Sequence, residues 1–138
     1  INPCTKTFQA IRIFVNKEIT ELIDGIIYAT KKLKPGGKII VVSFHSIEDR
    51  IVKYFFSNFS SNKSRPSRYT PEKNNNFNSL FEAYKNKVYT PEKNEIYLNN
   101  RSRSAKLRFA IRSKNEFLDP VELKKKFKKY LDLEAISV

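Results

Sequence analysis

The chain has 138 residues, a size typical of one domain, and 40% of them are hydrophobic, so we expect a packed core. Its 27 basic and 14 acidic residues give a formal net charge of +13, which favours a polyanionic partner such as RNA, DNA or an anionic membrane surface. One cysteine and one histidine exclude an internal disulfide and a Cys/His zinc site, so we expect a cytoplasmic protein without a metal. No apolar run is long enough to span a bilayer. Because the chain begins at Ile1 and contains no methionine, we expect it to be a piece of a longer protein.

Two helices are predicted in the first quarter of the chain. Apolar residues at helical spacing form one continuous stripe from Ile19 to Leu33, and this helix ends at the Lys-Pro-Gly-Gly sequence of residues 34–37. The same spacing predicts a shorter helix upstream, over Thr7–Val15.

A buried strand and a third helix are predicted next. Lys38–Phe44 contains four consecutive β-branched residues without alternation, which is typical of a strand covered on both faces in a parallel sheet. Ser46 and Asp49 match the Ser-x-x-acid start of a helix, with Ser46 as the N-cap and an end near Phe59. A helix, a glycine turn, a buried strand and another helix together indicate a doubly wound α/β fold.

A long loop is predicted in the middle of the chain. The segment at about 57–79 is rich in Ser, Asn, Lys, Arg and Pro, which predicts a flexible connection. The sequence Tyr-Thr-Pro-Glu-Lys-Asn occurs at Tyr69–Asn74 and again at Tyr89–Asn94, a repeat that we interpret as coincidence. Only the second copy predicts a helix start, with Thr90 as the N-cap.

The last third of the chain is predicted to hold a strand and a basic helical tail. Alternating residues over Ala105–Arg112 predict a half-exposed, antiparallel strand. A helix follows Asp119 within the tail, residues 114–138, where five lysines cover the surface that the apolar residues do not. Such a lysine-rich surface is either merely solvated or in contact with RNA or a membrane.

Candidate chemistry lies where the buried strand ends. Ligands of open α/β sheets bind beyond the carboxyl ends of the strands, a position occupied here by Ser43, Phe44, His45 and Ser46. A phenyl ring beside hydroxyls and an imidazole can stack on a base and hydrogen-bond its edge. Ser43, His45 and Ser46 are therefore candidate catalytic residues and Phe44 a candidate RNA contact. The structural alternative is that Phe44 is a core residue, Ser46 caps the helix and His45 satisfies backbone groups.

A second candidate surface is basic. Asn99, Arg101, Ser102, Arg103 and Lys106 are of the types that contact phosphates, and no acidic residue follows them before residue 116. The same charges can also protect an exposed strand edge from aggregation, and both interpretations remain open. The three glycines form no glycine-rich loop after a strand, so we expect no cofactor-binding residue in this chain.

Four blocks of the sequence resemble the signature of the ribosomal RNA small-subunit methyltransferase H (MraW) family. They read TKTFQAIRIFVN, LKPGGK, SFHSIEDRIVK and NNRSRSAKLR, and occupy residues 5–16, 33–38, 43–53 and 99–108. The blocks occur in the family's order, with Asn100 where the family usually has proline. Residues 113–138 lie outside the resemblance.

The resemblance implies the C-terminal part of a class I, Rossmann-like, S-adenosylmethionine-dependent methyltransferase domain that methylates the N4 amine of a cytidine in small-subunit ribosomal RNA. Residues 1–16 would then be the end of a helical substrate-recognition insertion or a helix leading into the domain. Residues 17–113 would carry the last three strands, with the sixth near Lys87–Tyr89 and the seventh at Ala105–Arg112. The cofactor loop would belong to an N-terminal half that this chain lacks, so the fragment alone should be inactive.

The resemblance also implies a partner, the small ribosomal subunit. The roles of the loop residues are our own hypotheses: Phe44 stacks on the cytidine, and Ser43, His45 or Ser46 supplies an acceptor that orients the amine. Arg50 is a further candidate RNA contact and is expected to pair with Asp49 to brace the loop. Without the central strands, the strand Ile39–Val42 has an unpaired edge, which predicts self-association. The alternative is a stand-alone basic RNA-binding module without catalysis.

Overall fold

Six helices, one 3₁₀ turn and two strands make up the computed structural model, which describes residues 3–62 and 79–136. The two strands form one antiparallel sheet, so the α/β class is confirmed. In chain order the elements are α1 Pro3–Asn16, α2 Glu18–Lys32, β1 Lys38–Ser43, α3 Ser46–Asn58, α4 Lys93–Leu98, the 3₁₀ turn Asn100–Ser104, β2 Lys106–Ile111, α5 Val121–Lys126 and α6 Lys128–Glu134.

The first two helices confirm the prediction from helical spacing. The apolar stripe of α2 is buried at Ile19, Ile23 and Ile26, whereas α1 has no buried residue. After α2 the chain turns through Gly36, whose φ of 79° lies in the left-handed region that favours glycine. This turn leads directly into β1.

The prediction that β1 is covered on both faces, in a parallel sheet, is wrong for the described residues. Ile39 and Ser43 are buried on one face, but Ile40 and Val42 on the other face are 60% and 49% exposed. The strand pairs antiparallel with β2. A strand with β-branched residues on both faces is fully buried only when other elements pack on each face. The described residues pack on one face of β1 only.

The antiparallel strand predicted over Ala105–Arg112 is confirmed as β2, although its apolar residues do not form its buried side. Arg108 and Ala110 are the buried residues of the strand, whereas the apolar residues between and beside them are only partly buried. A buried arginine is tolerated here because it finds a carboxylate partner, described below.

The far edge of β2 receives an irregular segment instead of a regular strand. Phe81 forms an isolated bridge with Arg112, and Tyr89 forms another with Leu107, both antiparallel. The sixth strand expected near residues 87–89 is therefore reduced to a single bridge. Next to it, α4 begins at Lys93 with Glu92 as the N-cap, so the predicted cap Thr90 lies two residues too early.

The first residues of the predicted loop, 57–62, belong to the packed part of the structure. Helix α3 continues to Asn58, Ser60 is buried, and the side chain of Asn62 exchanges two hydrogen bonds with the backbone of Tyr84, at 2.9 and 3.0 Å. The remainder of the predicted loop up to residue 78, including Tyr69–Asn74, lies outside the described residues.

An aromatic cluster forms the centre of the core. Phe55 and Phe56 of α3 each contact Phe81 at a ring-centroid distance of 5.2 Å, with the rings nearly perpendicular. Tyr84 packs against Phe56 at 5.5 Å. Because edge-to-face pairs add about 0.5–1.5 kcal/mol each beyond area burial, this cluster fixes the segment after residue 79 onto α3.

The basic tail is part of the folded structure. It forms two short helices instead of one, because the backbone leaves helical geometry at Phe127 (φ −106°, ψ 15°). Leu123 and Phe127 are buried in the core, whereas Val121, at the start of α5, is 51% exposed. Among the described helices, none combines the length and apolar character needed to cross a membrane.

Candidate functional site

The loop after β1 presents two exposed side chains and holds two inside. Phe44 is 56% exposed and Ser46 is exposed. Ser43 is buried, and its hydroxyl donates to the carbonyl of Lys106 at 3.3 Å. Of the predicted loop residues, Phe44 and Ser46 are therefore the ones that a ligand can reach directly.

His45 starts helix α3. Its Nδ1 accepts from the backbone N–H of Glu48 at 3.4 Å, while the Glu48 carboxylate accepts from the backbone N–H groups of Phe44 and His45 at 2.8 and 3.3 Å. This reciprocal arrangement is a capping box, so the predicted N-cap, Ser46, is one residue too late. The signal was present in the sequence, because a Glu stands three residues after His45.

The other ring nitrogen of His45 points at two carboxylates. Its Nε2 lies 3.3 Å from Glu48 Oε1 and 3.7 Å from Glu18 Oε2, and the side chain is only 6% exposed. Burial acts to raise the pKa of Glu18, but hydrogen bonds from Arg12 and Asn16 and the charge of Arg12 outweigh it, so this pKa is lowered. Because Glu18 is the first residue of α2 and His45 is the N-cap of α3, this cluster connects the starts of the two helices.

Glu18, His45 and Glu48 also form the one group of metal-ligand types that lie close together among residues 3–62 and 79–136. Since Nδ1 of His45 accepts a hydrogen bond, a neutral imidazole here carries its proton on Nε2, the atom that faces the carboxylates. To bind a metal ion through Nε2, the neutral imidazole would have to carry its proton on Nδ1. Nδ1 could then no longer accept the capping hydrogen bond from the backbone of Glu48. The buried Nε2 thus faces two carboxylates within ion-pair distance but makes no hydrogen bond to either of them.

A buried ion pair connects α3 to β2. Arg108 donates from Nε and Nη2 to the two carboxylate oxygens of Asp49, at 2.7 and 3.2 Å, and from Nη1 to Tyr84 Oη and Asn86 Oδ1, both at 3.2 Å. Burial alone would raise the pKa of Asp49, but the hydrogen bonds and charges of Arg108 and Lys106 have a larger opposite effect, so this pKa is lowered. The expected pairing of Asp49 with Arg50 is therefore wrong.

The basic residues expected to bind RNA differ in their surroundings. Lys106 is 3.3 Å from Asp49 and its side chain is 43% exposed. Ser102 is buried, with its hydroxyl donating to the carbonyl of Asn99 at 2.8 Å, and the Asn99 side chain accepts from the backbone N–H of Arg101 at 3.1 Å. Asn99 and Ser102 thus shape the 3₁₀ turn from which exposed Arg101 and Arg103 project.

Sheet register brings the two predicted surfaces together. Ser43, the last residue of β1, pairs with Lys106, the first residue of β2. The loop from Ser43 to Ser46 and the 3₁₀ turn Asn100–Ser104 therefore meet at the same end of the sheet.

Arg50, in the second turn of α3, is exposed.

Sequence reasoning missed three residues that organise this region. Glu18 and Glu48 hold His45, and Arg108 holds Asp49. The cap at Glu48 follows from local spacing. The other two contacts join residues that are 27 and 59 positions apart along the chain (45 − 18 and 108 − 49), and no periodic pattern connects such residues.

Comparison with known protein families identifies the family to which this chain belongs. Residues 1–113 match the family described as the MraW methylase family. The match covers most of the chain, so the chain belongs to the MraW methylase family.

Relatives of this chain carry a common name. It is 48% identical over 118 residues to the ribosomal RNA small subunit methyltransferase H of Bartonella grahamii, and 50% identical over 118 residues to the protein of that name from Bartonella quintana. Identity to the Ehrlichia canis protein is 51% over 112 residues. These alignments cover 86%, 86% and 81% of this chain but only 35% of each relative, so the chain spans about a third of their length.

Proposed function

We propose that this chain forms the C-terminal part of a class I, Rossmann-like methyltransferase that modifies the N4 amine of a cytidine in small-subunit ribosomal RNA, in the cytoplasm. Family membership supports methyl transfer, and the names of the relatives support a ribosomal RNA substrate. The observation that carries the proposal for this region is the pairing of Ser43 with Lys106, because it unites an exposed aromatic loop with an exposed basic turn.

The proposed cofactor, S-adenosylmethionine, supplies the methyl group when bound. None of the three glycines of the chain lies in a glycine-rich loop after a strand, and the described residues offer no such cradle for a nucleotide. We therefore assign the cofactor to the part of the protein outside this chain and assign none of these residues to it. The 138-residue chain alone is accordingly proposed to be inactive.

The loop residues take distinct roles in this proposal. Phe44 stacks on the cytidine ring, and the hydroxyl of Ser46 accepts a hydrogen bond from the N4 amine, because both side chains are exposed. Ser43 and His45 hold the loop in position through Lys106, Glu48 and Glu18. Catalysis by this part of the protein then consists mainly of orienting the amine.

Methylation of small ribosomal subunits that lack the modification tests the proposal. The full-length protein should transfer an isotopically labelled methyl group to cytidine N4, detected by mass spectrometry of the digested RNA. Phe44→Ala should lower kcat/KM by about tenfold or more, since base stacking contributes about 1–3 kcal/mol, while Phe44→Tyr retains most of the activity. A labelled nucleoside other than N4-methylcytidine would contradict the proposed reaction, and a wild-type rate for Phe44→Ala would remove Phe44 from it.

Binding to the ribosomal subunit should depend on the two exposed arginines. We expect Arg101→Gln/Arg103→Gln to weaken binding and to reduce the slope of log affinity against log salt by about 1.5–2, because two phosphate contacts are lost. The matched control is Lys125→Gln/Lys128→Gln, which removes the same charge from lysines already paired with Glu122 and Asp132. An unchanged slope in the arginine variant would show that these arginines do not contact phosphates and instead protect a strand edge from aggregation.

The exposed face of β1 should make the isolated chain self-associate. Its edge away from β2 has no strand partner among the described residues, and Ile40 and Val42 are exposed beside it. Sedimentation velocity should therefore detect dimers or larger species at about tens of micromolar, a range typical of weak association. Val42→Lys should restore the monomer. A wild-type chain that sediments as a monomer at that concentration would contradict this expectation.

A further inference from the structure

The short helix α4 exposes an aromatic and an aliphatic side chain almost completely. Tyr97 is 89% and Leu98 is 84% exposed, and no residue of this six-residue helix is buried. A helix of this length has little stability of its own, and core packing does not hold it. Nothing in the described fold therefore accounts for a tyrosine at this position, whereas exposed aromatic side chains are common at binding surfaces.

The surroundings of Tyr97 indicate the chemistry of its partner. The 3₁₀ turn that follows packs against α4 and presents Arg101 and Arg103 to solvent, four and six positions after Tyr97. The acidic residues of this region, Glu92 and Glu95, both precede Tyr97, so positive charge is concentrated on the side of the turn. Tyrosine and arginine also occur together in protein interfaces, but the excess of exposed positive charge beside Tyr97 complements a phosphate backbone, and surfaces that bind single-stranded nucleic acid combine stacking aromatic side chains with such charge.

The position relative to the proposed site favours RNA as well. The turn leads into Lys106, which pairs with Ser43 at the end of β1, so Tyr97 belongs to the same end of the sheet as Phe44. A strand that places one base on Phe44 can continue toward the arginines and α4. Stacking needs an unpaired base, because bases within a duplex are already stacked on each other.

We propose that α4 and the 3₁₀ turn form a platform for unpaired RNA nucleotides, with Tyr97 stacking on a base and Arg101 and Arg103 contacting the phosphates beside it. This inference rests on the proposed function, since it deepens the account of the RNA partner. It adds that the protein selects RNA whose target is flanked by single-stranded nucleotides.

The test measures binding of two labelled RNA probes by fluorescence anisotropy, without cofactor: an unstructured strand of about 12 nucleotides and a duplex of equal length. Tyr97→Ala should weaken binding of the single strand by about fivefold or more and leave the duplex affinity unchanged. The salt slope should also stay unchanged, because stacking releases no counterions. Tyr97→Phe should restore the affinity, since the ring is retained.

Two controls make the result specific. Tyr28→Ala removes another exposed tyrosine, 63% exposed on α2, and should bind both probes as the wild-type chain does. Thermal unfolding of Tyr97→Ala should match the wild type, because this ring is not part of the core. Single-strand affinity of Tyr97→Ala within twofold of wild type, or equal losses for both probes, would overturn the platform.

The outcomes separate this inference from the proposed reaction. A Tyr97 effect on the single strand, with no methyl transfer to cytidine, would leave the platform standing and reject the enzyme. Methyl transfer to cytidine without a Tyr97 effect on RNA binding would reject the platform and leave the proposed enzyme standing. If Tyr97→Ala instead reduced self-association and left RNA binding intact, α4 would be a contact between copies of the chain, and the RNA platform would be rejected.

Discussion

Asp49→Asn is expected to destabilise the fold by about 3 kcal/mol, because it leaves the Arg108 guanidinium buried without a counter-charge. Both side chains are largely buried, with 12% of Asp49 and 7% of Arg108 exposed, so water cannot replace the lost partner. The measurement is chemical unfolding of both proteins under conditions where the chain is monomeric. The control, Asp132→Asn, breaks an exposed Asp–Lys pair and should change the free energy of unfolding by less than about 0.5 kcal/mol.

The same pair should make stability depend on pH on the acid side. Folding lowers the pKa of Asp49 below its ordinary value of 3.8, because the hydrogen bonds and charge of Arg108 outweigh burial. The contribution of the pair is therefore complete above that ordinary value and is lost as the pH falls through the folded value. Asp49→Asn should show a shallower loss of stability on acidification than the wild type. Parallel pH profiles would mean that folding does not change the pKa of Asp49.

Glu134→Ala is expected to cost about 3 kcal/mol, because it removes the cap of α2. The residue before α2, Lys17, has a left-handed backbone (φ 52°) and its side chain gives no cap. Instead, the buried carboxylate of Glu134 accepts from the backbone N–H groups of Ile19 and Thr20 at 3.0 and 2.8 Å, and from the Thr20 hydroxyl at 2.6 Å. Its negative charge also suits the start of a helix.

Glutamine replacement separates the hydrogen-bond acceptors of the Glu134 cap from its negative charge. Glu134→Gln retains one acceptor oxygen and should lose about half as much stability as Glu134→Ala in chemical unfolding. Glu122→Ala, at an exposed glutamate of α5, should unfold like the wild type. Equal losses for the alanine and glutamine variants would show that the negative charge, and not the acceptor oxygens, accounts for the effect. No loss in either variant would show that the tail does not cap α2.

Local patterns were sufficient to place three of the elements. The apolar stripe of α2, the β-branched run of β1 and the alternation of β2 each placed an element within one or two residues of its observed bounds. Periodicity works here because each element buries one face against the same core. It did not find the break at Phe127, since helical spacing continues through that residue.

Contacts between distant residues could not be predicted in this way. The sequence suggested that Arg108 is exposed, because charged residues normally face solvent. Arg108 is buried instead because the fold places the carboxylate of Asp49 beside it. For the same reason Glu134 looked like an ordinary residue of a charged tail. The exposed pair Phe44 and Ser46 was accessible to sequence reasoning, because the end of a strand is where ligands of α/β sheets bind.

Calorimetric titration of S-adenosylmethionine into two proteins, this 138-residue chain and the full-length protein, tests whether the cofactor site lies outside these residues. We expect saturable one-to-one binding by the full-length protein and no detectable heat for the chain. Saturable binding by the chain would contradict that assignment. Absence of binding by the full-length protein would contradict the proposed enzyme itself.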